Sequence, residues 1–261
     1  MFKTIAILLI ICFTGTLHMK ALIPNSGTGS RMGDLTRTHP KCMTVLHYGD
    51  TILQRQLKQL VKHGIRQVII TTGYYDQVLI DYCAELALPL DIEFVRNPKY
   101  DQTNYIYSVY LAREHLDDDI LFLHGDLVFE DSVLKDVLDF DGSCMTTSTA
   151  IPLPPKDFKA VVQDGQITKV GVNYFDNARA AQPLYKLNKK DWKVWLDEIE
   201  RFCENGDVKV YAEEAFNKTS DKCAIYPMDF GLRLCEEIDT PADLEKVNNK
   251  LKGSNNETKN S

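Results

Sequence analysis

The sequence predicts an α/β fold with a Rossmann-like, doubly wound and mostly parallel sheet, followed by a C-terminal half in which the sheet becomes mixed. From residue 20 onward, short apolar runs alternate with amphipathic stretches, as they do where parallel strands are joined by crossover helices. After residue 138 this alternation gives way to successive strands, which indicates antiparallel pairing. The 261 residues, 44% of them hydrophobic, are enough to bury a substantial core.

The first half is expected to build the parallel part of the sheet. The apolar runs predict strands at residues 21–23, 67–71, 92–95 and 120–123. Amphipathic spacing predicts helices between and after them, at residues 52–63, 77–86, 104–115 and 132–138. Gly64 supplies a stop for the first of these helices.

The second half is expected to extend this sheet with strands at residues 144–150 and 159–162. Residues 161–167 predict a hairpin around Asp164-Gly165, a dipeptide typical of two-residue turns. Helices are predicted at residues 191–202 and at 241–251, the latter with Thr240 as its N-cap. One domain then covers residues 19–252, and the polar residues 253–261 form a disordered tail.

The charge and cysteine content exclude several classes of protein. With 30 basic and 37 acidic residues the net charge is −7, so we expect no nucleic-acid partner. An anionic ligand must be held by local groups instead. The seven cysteines are an odd number without a C-x-x-C pair, which argues against a disulfide framework or a zinc ribbon and favours buried thiols.

Residues 1–18 admit two interpretations. Lys3 followed by an apolar run at residues 5–13 has the layout of a short secretory signal, but the run is too short to span a bilayer, which needs about 20 apolar residues. Met19 is a second start position directly before the first strand. We favour an inert extension or a mis-assigned start, and hence a cytoplasmic protein without membrane contact. Export or membrane association through a signal or anchor is the alternative.

The connection after the first strand has the composition of a phosphate-binding turn. Small residues let backbone N–H groups approach phosphate oxygens, and Arg31 and Lys41 supply positive charge. The turn comprises Asn25, Ser26, Gly27, Thr28, Gly29 and Ser30. Met32 stands where a dinucleotide fingerprint needs its third glycine, which argues against a nicotinamide oxidoreductase, and no P-loop lysine follows. Taken alone, the turn could equally be structural.

Two aspartates are candidate metal ligands. Asp126 follows the strand at residues 120–123, at the carboxyl edge where parallel sheets bind ligands. Asp239 precedes the last predicted helix. Carboxylates of this kind suit Mg²⁺ bound together with substrate phosphates. Each also has a simpler interpretation, Asp126 as a turn residue and Asp239 as a charge at a helix N-terminus.

Five separated segments, in the same order, resemble nucleotidyltransferases of the sugar-nucleotide-pyrophosphorylase-like superfamily, with a nucleotide-diphospho-sugar transferase-like fold. The similarity is greatest to the cytidylyltransferases acting on phosphocholine or 2-aminoethylphosphonate. The segments are Gly27-Thr28-Gly29-Ser30-Arg31 with Pro40-Lys41, Asn97 to Tyr100 with Thr103 to Ser108, His124-Gly125-Asp126, Tyr211 to Glu214, and Glu237 to Pro241. A departure is Pro24-Asn25-Ser26, where the superfamily usually has Leu-Ala-Ala.

The resemblance implies transfer of CMP from CTP to phosphocholine or a related amino-alcohol phosphate or phosphonate, with release of pyrophosphate. It implies that Lys41, Arg31 and Asp126 are catalytic and that Asp126 and Asp239 hold Mg²⁺. The turn at residues 25–30, together with Thr103 and Asn104, would bind the nucleotide. No general base is needed, because the acceptor oxygen is already ionised at neutral pH.

Aromatic rings and carboxylates in the second half suit an acceptor with a cationic head, through cation–π attraction. The candidate contacts are Tyr107, Tyr185, Tyr211 and Glu213. Trp192 and Trp195 lie at helical spacing and are interpreted as core, and His124 as a packing residue.

The alternatives are a sugar-1-phosphate nucleotidyltransferase using UTP or another triphosphate, and a nucleotide-binding regulatory module without catalysis. The acceptor, the base preference and the oligomeric state, a homodimer included, stay open.

Overall fold

A computed structural model describes residues 19–257, with side chains described as far as residue 253. The extension at residues 1–18 and the end of the tail at residues 258–261 lie outside the described residues, so their interpretations stay predictions. Within the described range, no helix combines the length and the apolar character that crossing a membrane requires.

The first half alternates strands and helices as predicted. Its strands are β1 (Met19–Pro24), β2 (Gln67–Thr72), β3 (Asp91–Arg96) and β4 (Asp119–Leu123), and its helices are α1 (Ile52–Lys62), α2 (Asp76–Glu85) and α3 (Tyr105–Ala112). Short 3-10 helices lie at Ser30–Thr36 and Lys41–Met43, between β1 and α1, and at Arg113–His115 after α3.

The second half contains more elements than the sequence predicted. In order they are β5 (Leu127–Phe129), α4 (Asp131–Asp139), β6 (Ser143–Ser148), β7 (Lys159–Gln163), β8 (Gln166–Gly171), β9 (Ala178–Leu187), α5 (Lys189–Glu204), α6 (Ala212–Thr219), β10 (Ile225–Asp229), β11 (Cys235–Glu237) and α7 (Pro241–Glu257). The predicted hairpin is β7–β8. Asp164 and Gly165 both have positive φ, 50° and 79°, as its two-residue turn requires.

The main sheet has the strand order β10-β6-β9-β4-β1-β2-β3, with the β7–β8 hairpin attached to β9. β1 pairs in parallel with both β2 and β4, and β2 pairs in parallel with β3. β9 runs antiparallel to both of its neighbours, β4 and β6. The prediction of a parallel sheet that becomes mixed is therefore confirmed.

β9 is the main element that the sequence did not predict. Its apolar residues are interrupted by Gln182, Pro183 and Lys186. The sequence therefore shows neither the two-residue alternation of a half-buried strand nor the continuous apolar run of a fully buried one. Pro183 is tolerated because the pairing with β6 shifts register at this point, where a backbone N–H is not required.

The last helix, α7, is longer than predicted. It continues past residue 251 to Glu257 and so enters the segment expected to be disordered. Gly253 does not end it, because this residue does not adopt the left-handed conformation typical of helix C-termini.

The sheet is buried on both faces. Along β4, Ile120 and Phe122 belong to the core beneath α3, α5 and α6, whereas Leu121 and Leu123 belong to the core beneath α1, α2 and α4. This alternation follows from the two-residue period of a strand. The molecule therefore has three layers, helices over sheet over helices, and the carboxyl edge of the sheet is left accessible between them.

Trp192 and Trp195 are fully buried, as predicted for core residues. Their indole N–H groups donate to the carbonyls of Leu116 and Ala212 at 3.1 and 2.8 Å. The described cysteines are all free and buried. Burial raises the pKa of the Cys144 thiol to about 12, as expected for inert core thiols.

Phe122 lies at the centre of this aromatic core, with ring centroids 5.5, 6.0 and 6.2 Å from those of Tyr185, Trp195 and Trp192. We expect Phe122→Ala to lower the free energy of unfolding by about 3–5 kcal/mol, because it leaves a cavity among rigid rings. Denaturant titration checks this. Leu232→Ala, at a site 75% exposed, is the control and should change the stability by less than about 0.5 kcal/mol.

Candidate functional site

The candidate site is a cavity of about 630 Å³ at the carboxyl ends of β1 and β4. The chain runs from β1 to β2 and β3 on one side of β1 and then crosses back to β4 on the other side, so a crevice opens where the connections after β1 and β4 separate. The predicted site residues that line it are Asn25, Ser26, Gly27, Gly29, Ser30, Arg31, Lys41, Thr103, Asn104, Asp126, Tyr211 and Asp239.

Lys41 is the centre of the charged part of this cavity. Its ammonium forms an ion pair with Asp126 and a second one with Asp239, whose Oδ1 is 2.7 Å from Nζ. Arg31 reaches the same Oδ1 at 2.8 Å. Two carboxylates that are more than a hundred residues apart in the chain thus converge on a single cation.

The pKa values reflect this convergence. Burial by itself lowers the pKa of Lys41, but the charges of Asp126 and Asp239 outweigh it and raise the pKa above its ordinary value. Burial raises the pKa of Asp126, but the Lys41 ammonium outweighs that effect and holds it below the usual range. Attraction between opposite charges therefore helps to hold Lys41, Asp126 and Asp239 in place, in addition to packing.

Hydrogen bonds fix the two backbone segments that carry Asp126 and Asp239. The buried Gln56 side chain donates to the carbonyls of His124 and Leu127, at 2.9 and 2.8 Å, and fixes the turn that carries Asp126. Asp239 precedes α7, where the Thr240 hydroxyl accepts from Asp243 N at 3.3 Å and Asp243 accepts from Thr240 N at 2.8 Å. These reciprocal bonds confirm Thr240 as the N-cap.

Two glycines allow segments of the site to approach each other. Gly29 has a φ of 64°, and a Cβ there would lie 3.0 Å from Cβ of Lys41. A Cβ on Gly125 would lie 1.7 Å from Oδ1 of Asn25. Larger residues would therefore separate the glycine turn from Lys41 and from Asp126.

A buried polar network joins the glycine turn to the segment at residues 97–108. Ser26 Oγ and Ser108 Oγ are 2.5 Å apart. The Asn97 amide donates to Ser108 Oγ and to Thr103 Oγ1, at 3.0 Å each, and its oxygen accepts from Lys99 N at 2.8 Å. Thr103 and Asn104 thus line the cavity in fixed positions, with Asn104 also capping α3.

His124 and Glu237 are a partly buried pair that lines the cavity beside Asp126. His124 Nδ1 is 2.9 Å from Glu237 Oε1. Burial lowers the pKa of His124, but Glu237 outweighs it and raises that pKa. Burial, followed by the charge of Asp126, raises the pKa of Glu237 to about 7. The sequence analysis included Glu237 in one of the five matching segments but gave it no role in the site. In the structure it is the last residue of β11, two residues before Asp239.

The residues predicted to contact an acceptor separate into two groups. Tyr211 lines the cavity and is 40% exposed. Tyr185 and Glu213 are about 1% exposed and hydrogen-bonded to each other behind the cavity wall, and Tyr107 packs against the adjacent core. Thr28 also lies outside the lining. The sequence does not show whether a side chain on a strand or helix faces the cavity or the core. Tyr185 and Glu213 were expected to contact the acceptor, but in the structure they lie behind the cavity wall and support it.

Two aromatic residues that the sequence analysis did not select line the cavity beside Tyr211. Tyr105 has its ring centroid 6.0 Å from that of Tyr211, and Phe158 lies edge-on to Tyr211 at 5.1 Å. His124 packs edge-on against Tyr105 at 4.7 Å. The cavity therefore has a charged end at Lys41 and an aromatic end at Tyr211.

Comparison with known proteins identifies related sequences. Residues 21–148 match the MobA-like NTP transferase domain family. A CMP-5'-(3-aminopropyl)phosphonate synthase of Streptomyces rubellomurinus is 29% identical over 163 residues, 62% of this chain and 25% of that protein. A CTP:phosphoglutamine cytidylyltransferase of Campylobacter jejuni is 33% identical over 125 residues, 45% of this chain and 47% of that protein. The chain thus spans a quarter to about half the length of these relatives.

Solved structures of nucleotidyltransferases share the fold. The CTP:phosphocholine cytidylyltransferase of Streptococcus pneumoniae superposes with a TM-score of 0.72 at 19% identity, covering 90% of this chain and all of that one. The fold class expected from the five sequence segments is therefore confirmed.

Asn97 offers a test of the polar network. We expect Asn97→Ala to lower the free energy of unfolding by about 1–3 kcal/mol, because it removes three side-chain hydrogen bonds, one of them the bond that the Lys99 N–H donates to the Asn97 oxygen. Urea unfolding followed by circular dichroism measures this. Asn249→Ala, on the exposed face of α7, is the matched control and should leave the stability within about 0.5 kcal/mol. Equal stability of the two variants would contradict the assigned role of the network.

Proposed function

We propose that this chain, whose residues 21–148 match the MobA-like NTP transferase domain family, is a Mg²⁺-dependent cytidylyltransferase. It transfers CMP from CTP to phosphocholine or a related amino-alcohol phosphate or phosphonate and releases pyrophosphate. The observation that carries the proposal is the convergence of Asp126 and Asp239 on Lys41, beside the glycine turn and inside one cavity.

The glycine turn and the basic residues bind the triphosphate in this proposal. Backbone N–H groups near Gly27 and Gly29 face phosphate oxygens, and Arg31 and Lys41 neutralise the charge that collects on the departing pyrophosphate. Arg31 is suited to this because its side chain is 67% exposed and can turn from Asp239 toward an incoming anion.

The residues present fit a divalent cation. The single ammonium of Lys41 contacts both Asp126 and Asp239, so another cation at that place is within reach of both carboxylates. Asp126 Oδ1 is buried without a hydrogen-bond partner, and such an oxygen is an available ligand. When bound, Mg²⁺ would lower the repulsion between triphosphate and acceptor and stabilise charge at the α-phosphorus.

The aromatic end of the cavity holds the acceptor. Its phosphate or phosphonate oxygen is already ionised at neutral pH, so this chain needs only to aim it in line with the leaving pyrophosphate. Tyr105, Phe158 and Tyr211 surround a head group at that end, and Glu237 adds a carboxyl group nearby. Two similar proteins, a CMP-5'-(3-aminopropyl)phosphonate synthase and a CTP:phosphocholine cytidylyltransferase, support an acceptor whose head group carries a cationic nitrogen.

Pyrophosphate release measured over four nucleoside triphosphates and three acceptors tests the reaction directly. We expect release with CTP plus phosphocholine or 2-aminoethylphosphonate, and little with glucose-1-phosphate. Turnover with UTP and the sugar phosphate, but none with CTP, would instead identify a sugar-1-phosphate nucleotidyltransferase.

Asp126→Asn should lower turnover by about a hundredfold or more, because it removes charge from the site where the reacting phosphates meet. The assay is pyrophosphate release at saturating CTP. Asp136→Asn, which breaks only a surface ion pair with Arg233, is the matched control. Retained turnover in the Asp126 variant would rule out its catalytic role.

Lys41→Met tests the metal site independently of catalysis, because it should change metal affinity and turnover in opposite directions. Without nucleotide, the ammonium of Lys41 competes with a divalent cation for Asp126 and Asp239, so its removal should tighten Mn²⁺ binding by on the order of tenfold. Electron paramagnetic resonance of free Mn²⁺ measures this affinity. Turnover should fall at the same time, because the triphosphate loses a positive partner. Unchanged or weaker Mn²⁺ binding would place the cation elsewhere.

A further inference from the structure

Glu213 is a buried carboxylate that the reaction proposed above does not use. It lies in the first turn of α6 and is about 1% exposed. The hydroxyl of Tyr105 donates to one of its oxygens, and the hydroxyl of Tyr185 donates to the other at 2.8 Å. In the part of the chain that the structure describes, Glu213 forms no ion pair with a lysine, arginine or histidine.

A buried carboxylate is costly, and the two hydroxyl donors offset part of its lost hydration. Burial first, and the charge of Glu213 next, raise the pKa of Tyr105 and of Tyr185 well above the ordinary value. Both phenols therefore stay protonated and act as donors. The arrangement places a negative group directly behind the residue that forms the cavity wall.

Tyr105 connects this buried group to the cavity. Its hydroxyl end is fixed by Glu213, while its ring lines the cavity between His124 and Tyr211. Because a hydrogen bond to a fixed partner restricts the ring, the face it presents to a ligand is already oriented before binding. A hydrogen-bonded carboxylate also makes the ring a better partner for a cation, since the field of the charge extends through it.

We propose that Glu213 is a positioning residue that makes the aromatic end of the cavity selective for a cationic head group, by orienting the Tyr105 ring and placing negative charge behind it. This rests on the proposed function for the identity of the acceptor. It assigns the preference for a quaternary or protonated amine to a residue that never touches the ligand.

The test compares phosphocholine with 3,3-dimethylbutyl phosphate, which has the same shape and the same phosphate but an uncharged head group, because carbon replaces the nitrogen. Binding of each is measured by calorimetry with Mg²⁺ and a non-hydrolysable CTP analogue present, so the readout does not depend on turnover. We expect the wild-type protein to prefer phosphocholine by about tenfold. Melting temperatures of all variants report whether each one folds.

Two variants separate charge from position. Glu213→Gln keeps the shape of the side chain and should reduce the preference to about threefold or less, mainly through weaker phosphocholine binding. Tyr105→Phe keeps the ring and the carboxylate but removes the tether, so it should weaken both ligands severalfold. Tyr110→Phe is the matched control, because this ring packs on Tyr107 and Arg113 away from the cavity and should leave both affinities unchanged.

The proposal is overturned if the wild-type protein shows no preference, if a folded Glu213→Gln keeps the tenfold ratio, or if Tyr105→Phe binds both ligands as tightly as wild type. Pyrophosphate release is measured in parallel. A wild-type protein that prefers phosphocholine in calorimetry but releases no pyrophosphate from CTP would refute the proposed reaction while supporting the role of Glu213.

Discussion

The ion pairs of Lys41 with Asp126 and Asp239 join a short 3-10 helix to the end of β4 and the start of α7, two segments that the pairing of β5 with β11 already holds side by side. Two carboxylates at this separation would repel each other without a cation between them. The lysine therefore holds the two carboxylates together, and the glycine turn packs closely against it because Gly29 has no side chain. The shape of the cavity's charged end follows from this one arrangement.

The fold could be predicted where packing and local pattern agree. β1 and β4 are buried on both faces and appear as short apolar runs, and α1 shows clear helical periodicity. β9 could not be found in this way, because it carries Gln182, Pro183 and Lys186. Its place is determined by pairing with β4 and β6, and such partners are not visible in the local sequence.

The candidate site also has one part that the sequence could predict and one part that it could not. Phosphate-binding and metal-binding candidates lie in connections at strand ends, which the alternation of strands and helices brings to one edge of the sheet, so Lys41, Asp126 and Asp239 could be predicted together. The acceptor end is built from side chains of helices and loops, where rotation decides whether a residue faces the cavity. Tyr105 faces it, whereas Tyr185 supports it from behind, and the composition of the two segments does not distinguish them.

The packing of α7 has a consequence for folding. α7 packs through Val247 and Leu251 in the same apolar cluster as Met32 and Ile52, so this helix completes the layer that surrounds the first connection. Contacts between residues far apart in the sequence form slowly, because the entropy of closing a long loop opposes them. Lys41 and Asp239 are such a distant pair, so the ion pair between them depends on the docking of α7 against the first connection. The geometry of the charged end is therefore coupled to the stability of a helix whose apolar side chains lie outside the cavity.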